Sequence, residues 1–166
     1  MTAEQLDALI ARHGRTLTAF CISLCKNRHD ANDLFQETCL KLLGARCSFA
    51  DERAERNFIM KTCVNAFRDF YRAAARRREH LADVDEEYIE AIPDPGDQRK
   101  EYERLYRAIG RLSHKFRTVI TLCYFQDLQE KDAASILGVP VGTVKSRLHQ
   151  AKELLRKELE KDDDDR

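Results

Sequence analysis

Residues 128–151 read LQEKDAASILGVPVGTVKSRLHQA, two short helical patterns meeting at a turn. Ala134 is small enough to let two helices approach, and Gly138, four residues on, can take the positive φ that ends the first of them. Pro140 suits the start of the second, because its missing N–H would lack an intrahelical partner there in any case. Val144, Leu148 and Ala151 then turn inward at helical spacing, which leaves Lys145, Ser146, His149 and Gln150 outside. This is the spacing of a helix-turn-helix, and a short, polar, basic outer face is what a recognition helix needs in a major groove. Gly142 and Thr143 at the helix start offer backbone and hydroxyl groups to a phosphate. The same spacing also fits an ordinary helical hairpin with a solvated face.

Working outward, Leu105, Ile109 and Leu112 keep a helical period, and Ser113 is read as the cap of a further helix through Phe116, Val119, Ile120, Leu122 and Cys123. Before them stands EHLADVDEEYIEAIPDPGDQR, residues 79–99, in which Pro93-Asp94-Pro95-Gly96 prevents a continuous helix. The expected organisation is a helical domain over 1–78, an acidic linker over 79–104, a helix-turn-helix domain over 105–161 and a disordered acidic tail over 162–166.

The charge map follows those divisions. The 29 basic and 29 acidic residues cancel, and a pI near 7.0 argues at first against a basic nucleic-acid binder. By segment, however, the net charge is +5 over 1–78, −7 over 79–104, +5 over 105–161 and −3 over 162–166. Neutrality is thus two basic blocks offset by an acidic bridge and tail. With 166 residues the chain is too short for a large multidomain enzyme.

In the first block, Leu6, Leu9, Ile10, His13, Leu17, Phe20, Cys21 and Leu24 predict one long amphipathic helix, or two interrupted near Gly14. Asp30 is read as the N-cap of a second helix carrying Leu34, Phe35, Cys39, Leu42 and Leu43 inward, ending near Gly44. Residues 44–53 are read as a loop with one apolar anchor, Phe49. A third helix turns Phe58, Ile59, Thr62, Cys63, Ala66, Phe67 and Phe70 inward and ends in Arg72, Arg76, Arg77 and Arg78. With 6 Gly and 3 Pro, the composition suits an all-α chain.

Other chemistries find little footing. The six cysteines form no C-x-x-C pair and fall mostly on apolar stripes, so they read as buried thiols, with zinc or redox roles for Cys21, Cys25 or Cys47 the minority reading. No cofactor or metal is expected. The five histidines are scattered, and there is no Gly-rich phosphate loop, so an enzyme is not expected. No apolar run reaches the roughly 18 residues of a membrane span, and a cytoplasmic protein without membrane insertion is expected.

At this point three ordered segments resemble the sigma factors of bacterial RNA polymerase, of the small two-domain extracytoplasmic-function (ECF) group. Asp30-Ala-Asn-Asp-Leu-Phe-Gln-Glu-Thr resembles the family's core-binding segment in its second conserved region. The run from Asn57 through Arg72, with the arginines beyond it, resembles the segment that melts and reads the minus-ten element. Leu112 to Leu122, with Gly142 to Leu148, resembles the fourth conserved region, which reads the minus-thirty-five element. The resemblance implies a sigma region 2 bundle and a sigma region 4 helix-turn-helix joined by the acidic linker.

It also implies roles residue by residue. Asp33, Gln36 and Glu37 match positions that dock on the clamp helices of the polymerase's largest subunit, and the C-terminal domain would bind the flap of the second-largest subunit. Phe49 and Asn65 match positions framing the pocket for a base flipped from the non-template strand, whose extrusion stacking and edge hydrogen bonds offset. Arg68, Arg72, Arg76 and Arg77 would track phosphates beside it, and Thr143, Lys145, Ser146, Arg147, His149 and Gln150 would face upstream DNA. An anti-sigma factor is implied as a further partner.

There are departures. Phe58-Ile59 replaces the family's usual Trp-Leu, Lys131-Asp132-Ala133 stands where "EIA" is common, and Gln150 stands where Arg is frequent. The competing reading is a dimeric helix-turn-helix repressor or activator, whose sign would be tight stand-alone binding to palindromic half-sites about one helical turn apart.

Overall fold

The structure, a computed structural model, describes residues 1–77 and 99–164. Among them are seven α-helices and one π-helical turn: α1 (Ala3–Cys25), α2 (Arg28–Leu43), α3 (Glu52–Arg77), α4 (Arg99–Arg111), α5 (His114–Ile120), the π-turn Thr121–Phe125, α6 (Glu130–Leu137) and α7 (Val141–Asp164). The acidic stretch 78–98, read as most of the linker, and residues 165–166 lie outside the described residues.

The stripe read from Leu9 to Leu24 keeps phase through Gly14, so α1 is continuous. Thr2 and Gln5 close a reciprocal capping box at its start, and Lys26 ends it in a left-handed conformation at φ 66°. The α2 cap is Asn27 and not Asp30. Asn27 Oδ1 accepts from the Asp30 amide at 2.8 Å while its Nδ2 donates to the Asp30 carboxylate at 2.7 Å, so the acid sits inside the first turn, where the helix dipole favours it. The buried stripe of α2 is Ala31, Leu34, Thr38 and Leu42. Leu43, expected inside, is 39% exposed, because it falls off that stripe on the side of Leu40.

α1, α2 and α3 form the first unit, with Leu17, Phe20, Cys21, Leu24, Leu42, Ile59, Met60, Cys63 and Phe67 at its centre. Cys39, Cys47 and Cys123 are half-buried, while Cys21, Cys25 and Cys63 are buried as expected. The second unit is built on α7, which α4, α5 and α6 flank, with Val119, Leu122, Ala133, Val144 and Ala151 inside. Three details differ from the sequence reading. α4 starts at Arg99, inside the stretch assigned to the linker. Ser113 holds the N-cap position but accepts no bond through its side chain; its carbonyl takes the Phe116 and Arg117 amides. The tail read as disordered from 162 continues α7 to Asp164.

The helix-turn-helix is built as the spacing predicts. Gly138 has φ 66° and closes α6 in the left-handed conformation. Pro140 stands one residue before α7, and its carbonyl accepts the Thr143 and Val144 amides.

The two units also touch each other. α3 packs along α6, and α1 meets α5 and the π-turn. The π-turn, invisible to a period of 3.6, widens the chain so that the Gln126 amide reaches back to the Thr121 carbonyl, with Asp127 following at φ 50°.

Candidate nucleic-acid interface

α2 presents Asp33, Gln36 and Glu37 together on its exposed side, so the three expected docking residues share one face. Sequence reasoning missed their companions. Leu40, 65% exposed, and Leu43 extend the same face at i+4 and i+7 from Gln36, giving it an apolar centre with an acidic edge. The signal was available: leucine outside the buried stripe of a helix marks a contact surface.

α3 carries two kinds of surface. Phe58, Lys61, Asn65, Arg72 and Arg76 follow one another at three, four, seven and four residues and form a continuous side that is open to solvent at Lys61, Asn65, Arg72 and Arg76. Phe49 packs its ring on Phe58 at 5.4 Å between centroids, tilted by 53°, which fixes the 44–51 loop to the start of that side. On the other side of the loop lies a cavity of about 390 Å³ lined by Gln5, Arg12, Cys47, Ser48, Phe49 and Glu55, among others. Glu55 is held there by Arg12 at 2.6 Å and by His13 at 2.9 Å, and the Arg12 bond above all keeps its carboxyl below the usual carboxylate range. Asn65 does not line this cavity; it lies two helical turns beyond Phe58 along α3. Arg77 lies off the Arg72–Arg76 side, one residue round the helix.

Arg68 differs from its neighbours. It is half-buried, and its guanidinium donates to the Leu137 carbonyl of α6 at 2.9 Å. Burial, and next the nearby Arg147 and Arg72, pull its pKa below the ordinary arginine value. An arginine expected on DNA phosphates is thus committed to the helix-turn-helix in this arrangement.

On α7, Lys145, Ser146, His149 and Gln150 are exposed, while Thr143 and Arg147 are partly covered. Lys145 Nζ is 3.8 Å from Glu130 across the helix-turn-helix, and the Ser146 hydroxyl donates to the Thr143 carbonyl at 3.1 Å. Both side chains therefore start from weak local contacts that a DNA phosphate or base edge can replace.

Chains with known identities share this organisation. The region 2 model of the sigma-70 family matches residues 9–77, and its region 4 model matches residues 102–155. The chain is 28% identical to the RNA polymerase sigma factor SigV of Bacillus subtilis, over 98% of this chain and 95% of that one. It is 34% identical to the ECF RNA polymerase sigma factor EcfG of Rhodopseudomonas palustris, over 84% and 77%. In fold it is similar to the sigma factor RpoE of Bartonella quintana, solved in complex with the anti-sigma factor NepR, with a TM-score of 0.76, 24% identity and 95% and 98% coverage. CnrH, solved with the cytosolic domain of CnrY, superposes with a TM-score of 0.66 at 25% identity, over 95% and 88%. With two basic helical units in the order region 2 then region 4, the chain belongs to the ECF group of the sigma-70 family of RNA polymerase sigma factors.

Proposed function

We propose that the chain binds core RNA polymerase and directs it to promoters, its first unit reading the minus-ten element and its helix-turn-helix the minus-thirty-five element. The observation that carries this is the pairing of a region 2 unit and a region 4 unit in one chain, in that order, each with a cationic face. A dimeric repressor needs the second unit but has no use for the acidic and apolar face of α2 or the arginine-ended α3. RNA synthesis belongs to the polymerase. This chain supplies position.

In this reading the face of Asp33, Gln36, Glu37, Leu40 and Leu43 docks on the clamp helices, an apolar contact rimmed by charge. The cavity beside Phe49 falls in the size range of small-ligand sites, roughly 300–1,000 Å³, and would receive the flipped base, with Phe58 keeping Phe49 in place. Arg72 and Arg76 would follow the backbone beyond, with Asn65 between them and the loop. Thr143, Lys145, Ser146, Arg147, His149 and Gln150 would enter the upstream major groove. Residues 1–78, 79–104 and 105–161 act as the two reading units and their tether, with the flap of the second-largest subunit bound by the C-terminal unit.

A relative of this fold, RpoE of Bartonella quintana, has been solved with the anti-sigma factor NepR, which supports an anti-sigma partner for this chain as well. No helix among the described residues is long and apolar enough to cross a membrane, consistent with action on DNA in the cytoplasm. The test is transcription in vitro with purified core enzyme on genomic fragments. Discrete start sites that require this chain and disappear with Asp33→Arg and Glu37→Arg together support the reading; no discrete transcripts would overturn it.

A further inference from the structure

Beside the apolar cluster that runs through both units, the contact between them carries specific polar bonds, most of them from residues that the promoter-reading role does not use. Asp132 opens α6 with its side chain 16% exposed. It takes the Arg53 guanidinium of α3 at 2.6 Å and lies 3.5 Å from the Asn57 amide. Arg56, one turn along α3, donates to the Gln126 carbonyl at the end of the π-turn. At the far end Arg117 is fully buried, its Nε on the Leu24 carbonyl of α1 at 2.9 Å and its Nη2 3.3 Å from the Tyr71 hydroxyl of α3. Two of the DNA-facing cations lie between these ends. Arg68 is tied to Leu137, and Arg147 is close enough to depress it.

We propose that Asp132 is an autoinhibitory latch: its bond to Arg53 holds the chain in a closed form that withholds Arg68 and Arg147 from DNA until polymerase separates the units. The proposal rests on the promoter-reading role for what those two arginines do, but not for the latch itself. Two cationic faces turned toward each other repel, so closure needs a specific opposing contact, and Asp132 is the anion placed to supply it. The closure is reversible in character. Asn57 Oδ1 is buried at the junction without a hydrogen-bond donor among the described residues, and Arg53 is still 58% exposed. In a population-shift picture, the apparent affinity for DNA falls by the fraction of chains that are open.

The test uses the full chain without polymerase. Fluorophores at the exposed positions Ala11 and Lys157, one on each unit, report separation by energy transfer; a mixed-sequence DNA duplex at low salt reports exposed cations. Asp132→Ala is expected to lower transfer and raise duplex affinity about tenfold, a change of roughly 1.4 kcal/mol in the closing equilibrium. The swap Arg53→Asp with Asp132→Arg should restore both, which a merely misfolded variant cannot do. Unchanged transfer in Asp132→Ala, with helicity intact, overturns the latch. Reduced transfer with unchanged duplex affinity overturns the withholding of Arg68 and Arg147. A chain that opens as described but directs no transcription with core enzyme leaves the latch standing and removes the promoter-reading role instead.

Discussion

The centre of the first unit and the hydrogen-bonded contacts that tie the two units together are made of opposite materials, the first fully buried and the second only partly so. The centre is Leu17, Phe20, Leu24, Ile59, Met60 and Phe67, with three thiols and no charge. The junction adds to an apolar cluster shared by both units the bonds of Arg53, Arg56, Arg68 and Arg117 to Asp132, three carbonyls and a tyrosine hydroxyl. Apolar burial is non-directional and costs about 25 cal/mol per Å² to undo, so it suits a contact that never opens. Charged hydrogen bonds exchange with water and salt at small net cost, so they suit one that does. One helix, α3, serves both, with Ile59, Cys63 and Phe67 on one side and Arg53, Asn57 and Arg68 on another.

The largest expected contrast is in thiol labelling. Cys21 and Cys63 face each other at 3.7 Å with no exposure, and the Cys21 thiol is held far above its ordinary pKa, first by its hydrogen bond with Cys63 and then by burial. Burial first, and then the neighbouring Cys63 and Asp30, do the same to Cys25. Labelling of these three with a soluble alkylating reagent should be slower than in the unfolded chain by about a thousandfold or more, the protection that global stability confers. Opening the junction with Asp132→Ala should leave that protection intact. Peptide-resolved mass spectrometry checks both, and loss of core protection on opening would make core and junction one cooperative unit.

Next in size is Phe20→Ala. Phe20 has no exposed surface, and a cavity of that kind costs about 3–5 kcal/mol. Urea unfolding should show the loss in the first unit. A loss below about 1 kcal/mol would mean that the core collapses around the gap.

Arg117→Lys probes the other material. The guanidinium spreads its N–H groups over Leu24, Leu112 and Gly110 carbonyls and the Tyr71 hydroxyl, at 2.8 to 3.4 Å. All four partners are neutral oxygens, and a single ammonium cannot reach them together. The expected cost is about 2–3 kcal/mol, shared between the second unit, which loses Gly110 and Leu112, and the junction, which loses Leu24 and Tyr71. Energy transfer between the units should fall along with stability. Stability that falls while transfer stays constant would confine Arg117 to its own unit.

The sequence is legible where a period or a turn residue carries the information and silent where a tertiary partner does. The buried run of α1 from Leu9 to Leu24, the α7 stripe, Gly138 and the exposed row Lys145, Ser146, His149 and Gln150 stand where spacing puts them. On α3, by contrast, Ile59, Cys63, Ala66 and Phe67 are buried, but Phe58, Thr62 and Phe70, read as inward, are only partly covered, and Met60 and Val64 are buried in their place. Asn27 takes the cap from Asp30 because both residue types are good caps and the local bond network decides between them. The π-turn cannot be seen with a 3.6-residue period, and Arg68 reads as one more cation in an arginine-rich helix end until Leu137 appears 2.9 Å away. Arg117 shows the limit most clearly: an arginine in an apolar run reads as a surface residue, and only four acceptors converging from both units make its burial affordable.

The smallest expected effect is a pH dependence of closure, carried by His114 at the start of α5. Its ring lies 4.6 Å from that of Tyr71, and its pKa is below the ordinary 6.5, first through burial and then through Arg117, Arg68, Arg147 and Lys115. Tyr71 and Arg68 face it from α3, Lys115 and Arg117 from its own helix and Arg147 from α7. Opening removes the α3 groups and the burial they cause, so the open form binds a proton more readily than the closed one. Above the ordinary histidine range the ring is neutral in both forms and pH has no effect through it. As pH falls through about 6.5 and on toward the depressed value, protonation of the open form draws chains out of closure. Energy transfer should therefore decline from about pH 7.5 to about 5.5, and His114→Gln, which keeps a hydrogen-bonding side chain but cannot titrate, should flatten that decline. An unchanged decline in His114→Gln would move the proton elsewhere, and a rise in transfer on acidification would mean that the cations at the junction do not set the balance between the two forms.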